Sequence, residues 1–176
     1  MESNDSKTRK EMLDALPHLR RFAISLSKSR SDGDDLLQST VERVLKKGVP
    51  EDVDMRKWMF RVCKNIWIDE IRARKVRQRA AEGQDITIHN RPESETEIMD
   101  KLKLKQVRAA MDNLPDDQRA ALSLVAIEGY SYKDTAEILG TPIGTVMSRL
   151  ARARKNLASQ FSDGGKPFSP TQAFRA

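Results

Sequence analysis

Between Gly144 and Lys155 one short stretch collects Ser148, Arg149, Arg152, Arg154 and Lys155, with no acid from Ile143 to Gln160. A guanidinium can make a bidentate contact with a guanine edge, and ammonium groups neutralise phosphates. These residue types suit a polyanion with ordered hydrogen-bonding edges, which is duplex DNA. A second cationic set comprises Arg56, Lys57, Arg61, Lys64, Arg72, Arg74, Lys75, Arg77 and Arg79, against Asp69 and Glu70 only. Trp58, Phe60 and Trp67 lie among these bases. Cations with aromatic faces suit single-stranded nucleic acid, since charge tracks the backbone while rings accept unstacked bases. Plainer readings exist for both sets. A basic helix face is often just solvated, and bundle tryptophans are often core, which is the favoured reading of Trp67. Trp58, near a helix start and beside the loop Gly48 to Asp54, suits an exposed role better.

The first set is positioned by Tyr130 to Arg154, which has the grammar of a helix-turn-helix. Ser131 caps a short helix with apolar Ala136, Ile138 and Leu139, and Gly140 stops it as a left-handed residue. Thr141-Pro142 predicts a hydroxyl cap followed by proline at the first helical position. In the second helix Ile143, Val146, Leu150, Ala153 and Leu157 form one apolar stripe. At about 100° per residue, Gly144, Ser148, Ala151, Arg152 and Lys155 point the other way, with Thr145 beside them and Met147, Arg149 and Arg154 on the flanks. Such a motif presents its second helix to the major groove.

The rest of the chain reads as helix. A first helix is expected from Lys7 to Ser27 on Leu13, Leu16, Leu19, Phe22, Ala23 and Leu26, kinked or divided at Pro17. Asp32-Gly33-Asp34 marks the start of a second, with Leu37, Val41, Val44 and Leu45 inward, and Gly48-Val49-Pro50 ends it. A third runs from about Asp54 to Ala80, its apolar Met55, Trp58, Met59, Val62, Cys63, Ile66 and Trp67 covering more than one face. A linker is expected where Gly83 and Pro92 interrupt an acidic, weakly apolar segment. Helices from Ser94 to Asn113 and from Pro115 to Gly129, the latter carrying Ala121, Leu122, Val125 and Ile127, precede the helix-turn-helix. The predicted fold is all-α. It has two small domains, residues 7–81 and 94–161, a linker over 82–93 and a disordered tail over 162–176.

Composition agrees with that division. The chain has 176 residues, 33% charged and 38% hydrophobic, which fits two modest cores better than one large one. A net charge of +6 favours a polyanionic partner. The single Cys63 excludes an internal disulfide, the N-terminus lacks a secretory core, and no segment is long enough to span a membrane. A soluble, cytoplasmic protein is the expectation. No phosphate-binding glycine loop, HExxH or metal-spaced cysteine and histidine set occurs, and His18 and His89 lie in separate segments. No catalytic residue, metal or cofactor is expected.

DDLLQSTVERVL, WMFRVCKNIWIDEIR and LPDDQRAAL…YSYKDTAEILGTPIGTVMSRLARAR follow one another in this chain. In that order they resemble an extracytoplasmic-function (ECF) sigma factor of bacterial RNA polymerase, of sigma-70 family group 4, from about Lys10 to Gln160. NIWIDEIRARKVR and GTVMSRLARAR look most like the subgroup that drives the general stress response. The resemblance implies only regions 2 and 4, bridged by the acidic linker lying in a polymerase channel. It implies core polymerase (its clamp and flap regions), promoter DNA and an anti-sigma factor as partners, and no membrane contact.

Roles carry over by position. Asp35, Gln38, Ser39 and Glu42, with Leu36 at the edge, would meet the polymerase clamp. Trp58, Arg61 and Asn65, with Arg72 and Arg74, would face the melted −10 strand. Thr145, Met147, Ser148, Arg149, Ala151, Arg152 and Lys155 would face the −35 duplex. Within that face Ser148 and Arg152 are the leading base-edge contacts, while Arg149, Arg154 and Lys155 hold phosphates. Three positions depart from the pattern. Many relatives carry a base where this chain has Met147, some carry a bulky residue at Ala151, and the loop Gly48 to Asp54 is acidic. Two other functions compete: a stand-alone helix-turn-helix repressor, and a sigma-mimicking decoy that binds an anti-sigma factor.

Overall fold

The computed structural model of the chain describes residues 2–80 and 100–162, and every regular element among them is helical. The expected linker over 82–93, and all of the tail but Ser162, lie outside the described residues. Three helices form the first unit: α1 (Glu2–Ser27), α2 (Arg30–Lys47) and α3 (Met55–Ala80). The second comprises α4 (Asp100–Asp112), α5 (Asp116–Leu122), α6 (Tyr132–Leu139) and α7 (Ile143–Ser162). A π-turn over Ser123–Ile127 continues α5 directly. No helix among the described residues is long and apolar enough to cross a membrane.

α1 runs unbroken through Pro17, so that proline divides nothing. Its apolar residues are buried from Ala15 and Leu19 through Phe22, Ala23 and Leu26, whereas Leu13 stays exposed. α2 starts before Asp32-Gly33-Asp34, because the Ser29 side chain accepts from Asp32 N. Gly33 instead lies inside the helix against α1, where an added Cβ would come within 2.6 Å of Ile24. The buried stripe of α2 is Gly33, Leu36, Thr40 and Val44. Thr40 can be buried because its hydroxyl donates to Leu36 O at 2.7 Å, satisfying the group within the helix. Leu36 is therefore core rather than at the edge of an outward face, and Leu45 is exposed rather than inward.

α3 fills the space between α1 and α2 with Met55, Met59, Phe60, Val62, Cys63, Ile66 and Trp67. Phe22 and Phe60 meet with ring centroids 5.1 Å apart. Burial pushes the Cys63 thiol up to about 12, so it sits in the core as a neutral group. Asp54 caps α3 by accepting from Lys57 N at 2.8 Å, giving one acid of the acidic loop a local structural task.

Candidate nucleic-acid interface

The turn between α6 and α7 is built largely as its residues dictate. Ser131 caps α6, accepting from Asp134 N at 3.0 Å and donating to Asp134 Oδ2 at 2.7 Å. Gly140 adopts φ 64° and ψ 40°, the left-handed cap. The expected Thr141 hydroxyl cap does not form. Pro142 O already accepts from Thr145 N and Val146 N, so Pro142 occupies the cap position and Thr141 lies one residue too early. The Thr141 hydroxyl is buried without a hydrogen-bond partner among the described residues.

Val146, Leu150 and Ala153 seat α7 in the core. Gly144, Met147, Ser148, Ala151, Arg152 and Lys155 are all exposed, with Thr145 half-buried. Ile143, expected in the apolar stripe, is exposed as well. The cations of this helix divide into two kinds. Arg149 pairs with Asp117 at 3.1 Å, and Arg154 donates to the Tyr132 hydroxyl at 3.0 Å. No hydrogen bond or ion pair within the described residues engages Arg152 or Lys155. The outer face thus carries a free fork donor and a free ammonium, beside two arginines held by their own domain.

The first half of α3 is covered instead. Lys57 Nζ donates to Asp134 Oδ1 at 2.5 Å and to Glu137 Oε2 at 3.4 Å. Arg61 donates to Glu137 O at 2.5 Å, and Lys64 to Leu139 O at 2.9 Å. Both carbonyls lie in the last turn of α6, where the helix dipole is negative. Lys57 holds the Asp134 carboxyl below its ordinary range, with help from Ser131. Burial pushes Lys64 down, as do the charges of Arg61 and Arg149 beside it. Trp58, half-buried, lines a small cleft with Val53, Lys57, Arg61, Glu137 and Ile138. Asn65, Arg72 and Arg74 are exposed. Arg74 lies over the ring of Trp67, 5.5 Å from its centroid, and Trp67 is core.

Two further contacts join the units, and sequence reasoning found neither. The Glu128 side chain is fully buried among Arg21, at 3.1 Å, His18 Nδ1, at 2.7 Å, and Arg56, at 3.5 Å. Arg56 also lies over Tyr130, whose ring meets Phe60 edge-on. Arg119 is completely buried and donates to Ser25 O at 2.6 Å and Leu26 O at 2.9 Å, at the end of α1. Its remaining donors reach Leu114 O and the Asp116 carboxylate. The Asp116–Arg119 spacing of three was the one local signal for that pairing. On α2, Asp35, Gln38 and Glu42 are exposed and Ser39 is half-buried. Gln38 donates to Glu42 at 3.1 Å.

A three-helix unit joined to a helix-turn-helix unit, with free cations on the second helix's outer face, defines a helical DNA-binding protein. Residues 104–157 match the family described as Sigma-70, region 4, and residues 12–64 the Sigma2 domain of PhyR. The chain is 37% identical over 171 residues to the ECF RNA polymerase sigma factor EcfG of Rhodopseudomonas palustris (strain TIE-1), spanning 96% of this chain and 93% of that one. It is 34% identical to the ECF RNA polymerase sigma factor SigE of Mycolicibacterium smegmatis, spanning 78% of this chain and 54% of the relative. The solved sigma factor RpoE of Bartonella quintana, in complex with the anti-sigma factor NepR, superposes with a TM-score of 0.74 at 31% identity. That likeness covers 89% of this chain and 98% of RpoE. The chain belongs to the ECF RNA polymerase sigma factors, which direct promoter-specific transcription initiation.

Proposed function

We propose that this chain holds core RNA polymerase through the outward side of α2 and reads promoters at two points. The α2 surface offers Asp35, Gln38, Ser39 and Glu42 to a basic helix of the polymerase clamp. The exposed Leu45, rather than Leu36, supplies its apolar contact. α7 enters the major groove at −35, where Arg152 and Ser148 meet base edges and Lys155 meets phosphate. Arg149 and Arg154 position the helix through Asp117 and Tyr132 before any phosphate is met. The α3 residues Trp58, Arg61 and Asn65, with Arg72 and Arg74 beyond them, receive the melted −10 strand once α6 has moved away. The acidic linker lies in the polymerase channel. An anti-sigma factor, the class of partner with which RpoE was solved, restrains the chain by holding both units together.

The observation that carries this reading is the exposed, unengaged pair Arg152 and Lys155 on an acid-free recognition helix. The match of residues 12–64 to the PhyR sigma2 domain favours, as a second reading, a decoy that occupies an anti-sigma factor. The likeness to EcfG over nearly the full length of both chains supports the sigma factor over the decoy. Reconstituting core polymerase with this chain and mapping transcript 5′ ends on genomic DNA separates them. Discrete starts sharing −35 and −10 elements are expected. Polymerase binding without initiation favours the decoy, and duplex binding without polymerase favours a repressor.

A further inference from the structure

The outward side of α7 carries two parallel rows. Steps of four residues advance by about 40° around a helix, so Ile143, Met147 and Ala151 run beside Gly144, Ser148 and Arg152. In the first row Ile143 is 49% exposed, Met147 is 53% exposed and Ala151 is exposed. None of them belongs to the core, which Val146, Leu150 and Ala153 fill. In the second row the Ser148 hydroxyl donates to Thr145 O at 2.9 Å, leaving its lone pairs outward as an acceptor. Arg152 supplies donors. The major groove displays donors, acceptors and one apolar feature, the C5-methyl group of thymine. A polar row answers the first two, and only an apolar row answers the third.

We infer that Met147, flanked by Ile143 and Ala151, reads the C5-methyl group of a thymine in the −35 duplex; this rests on the promoter-reading role proposed above. Two observations commit the apolar row to DNA rather than to an apolar protein surface. It lies alongside the row of Ser148 and the unengaged Arg152, with Lys155 about 80° from Met147 around the helix, and no acid occurs from Ile143 to Gln160. It also occupies the first turns of the recognition helix, the part of such helices that meets base edges. A flexible thioether suits a methyl contact because it adapts its shape without offering a strong hydrogen-bonding group.

The test uses holoenzyme reconstituted from core polymerase and the full chain, on the −35 element found by start-site mapping. Each thymidine of that element, on either strand, is replaced by deoxyuridine, which removes only the methyl group. Wild-type holoenzyme is expected to lose about three- to fivefold in affinity at one position, the worth of one buried methyl. Met147→Ala is expected to bind thymidine and deoxyuridine DNA equally at that position, and Met147→Leu to restore the difference. Three results overturn the inference while −35 protection persists: a −35 element without thymine, indifference of wild type to every deoxyuridine, or a penalty that Met147→Ala leaves unchanged. Absence of wild-type −35 protection instead overturns the promoter-reading role itself. Met147 is half exposed, so its replacement leaves the core intact.

Discussion

The two cationic surfaces of this chain contrast in what already holds them. On α7, Arg152 and Lys155 point outward with no hydrogen bond or ion pair to the described residues. On α3, Lys57, Arg61 and Lys64 are all engaged by α6, through two carboxylates and two backbone carbonyls. A helix C-terminus carries about half a negative charge, so α6 meets these cations with the sign that a phosphate would. The proposed duplex reader is thus open as folded, whereas the proposed strand reader is capped by the first helix of the helix-turn-helix. On the proposed roles duplex is met before melted strand, and reading both requires the units to part.

The sharpest way to break that contrast is to remove what joins the units. Arg119→Ala leaves the carbonyls of Ser25 and Leu26 without their buried donor. It is expected to cost about 2–6 kcal/mol, measured by urea denaturation, the scale of leaving two buried acceptors unsatisfied. If the covering of α3 depends on this staple, amine-labelling rates at Lys57 and Lys64 should rise toward that of Lys155. Unchanged labelling would show that α6 holds α3 alone.

Next in size is the open face. Arg152→Ala is expected to relax preference at a single −35 position by about 10- to 100-fold, the worth of one bidentate base contact. Binding selections with the reconstituted holoenzyme check this. A uniform loss at every position would make Arg152 a phosphate contact.

A smaller effect sharpens the covered side. Asp134→Ala should speed labelling of Lys57 by no more than about fivefold, since both partners are partly exposed. The Asp134 carboxyl should titrate below the ordinary range in an NMR titration, and Lys57→Met should move it back up. A folded value below the unfolded one gives stability that is present above the unfolded carboxylate range. That contribution is lost as pH falls through the folded value. The clamp between α3 and α6 therefore weakens on acidification, and near neutral pH this carboxylate changes nothing.

The smallest expected effect is Lys155→Ala. It should weaken −35 binding across all sequences and reduce the salt slope of log affinity by about 1. A change in base preference would assign Lys155 to an edge instead.

Much of the helix-turn-helix was legible because its signals are local. Ser131, Gly140 and the acid-free α7 each act through neighbours within five residues, and the outward set Gly144, Ser148, Ala151, Arg152 and Lys155 is exposed. The burial of α2 was harder to read from residue type. Gly33 is buried because it lacks a side chain, and Thr40 because its hydroxyl bonds within the helix, so the stripe turned from Leu45 toward Leu36. The burial of Arg119 and Glu128 was not legible. Their type argues for solvent, and the partners that reverse this lie about a hundred residues away in α1. The same holds for Lys57, Arg61 and Lys64. Their charge was visible, but not that α6 would occupy it.

The π-turn at Ser123–Ile127 gives the joint between the units a tolerance of chain length. Glu128 N bonds Ser123 O across five residues, one more than an α-turn spans. Such a turn holds one surplus residue without lengthening the helix. Deleting Ala126, which is exposed, would let Glu128 N reach Ser123 O as an ordinary α-turn, so the following carboxylate would keep its place. Glu128 would then keep Arg21, His18 and Arg56, and Val146, Leu150 and Ala153 would still seat the recognition helix. A single codon lost at this turn is therefore absorbed locally, without opening the joint between the units.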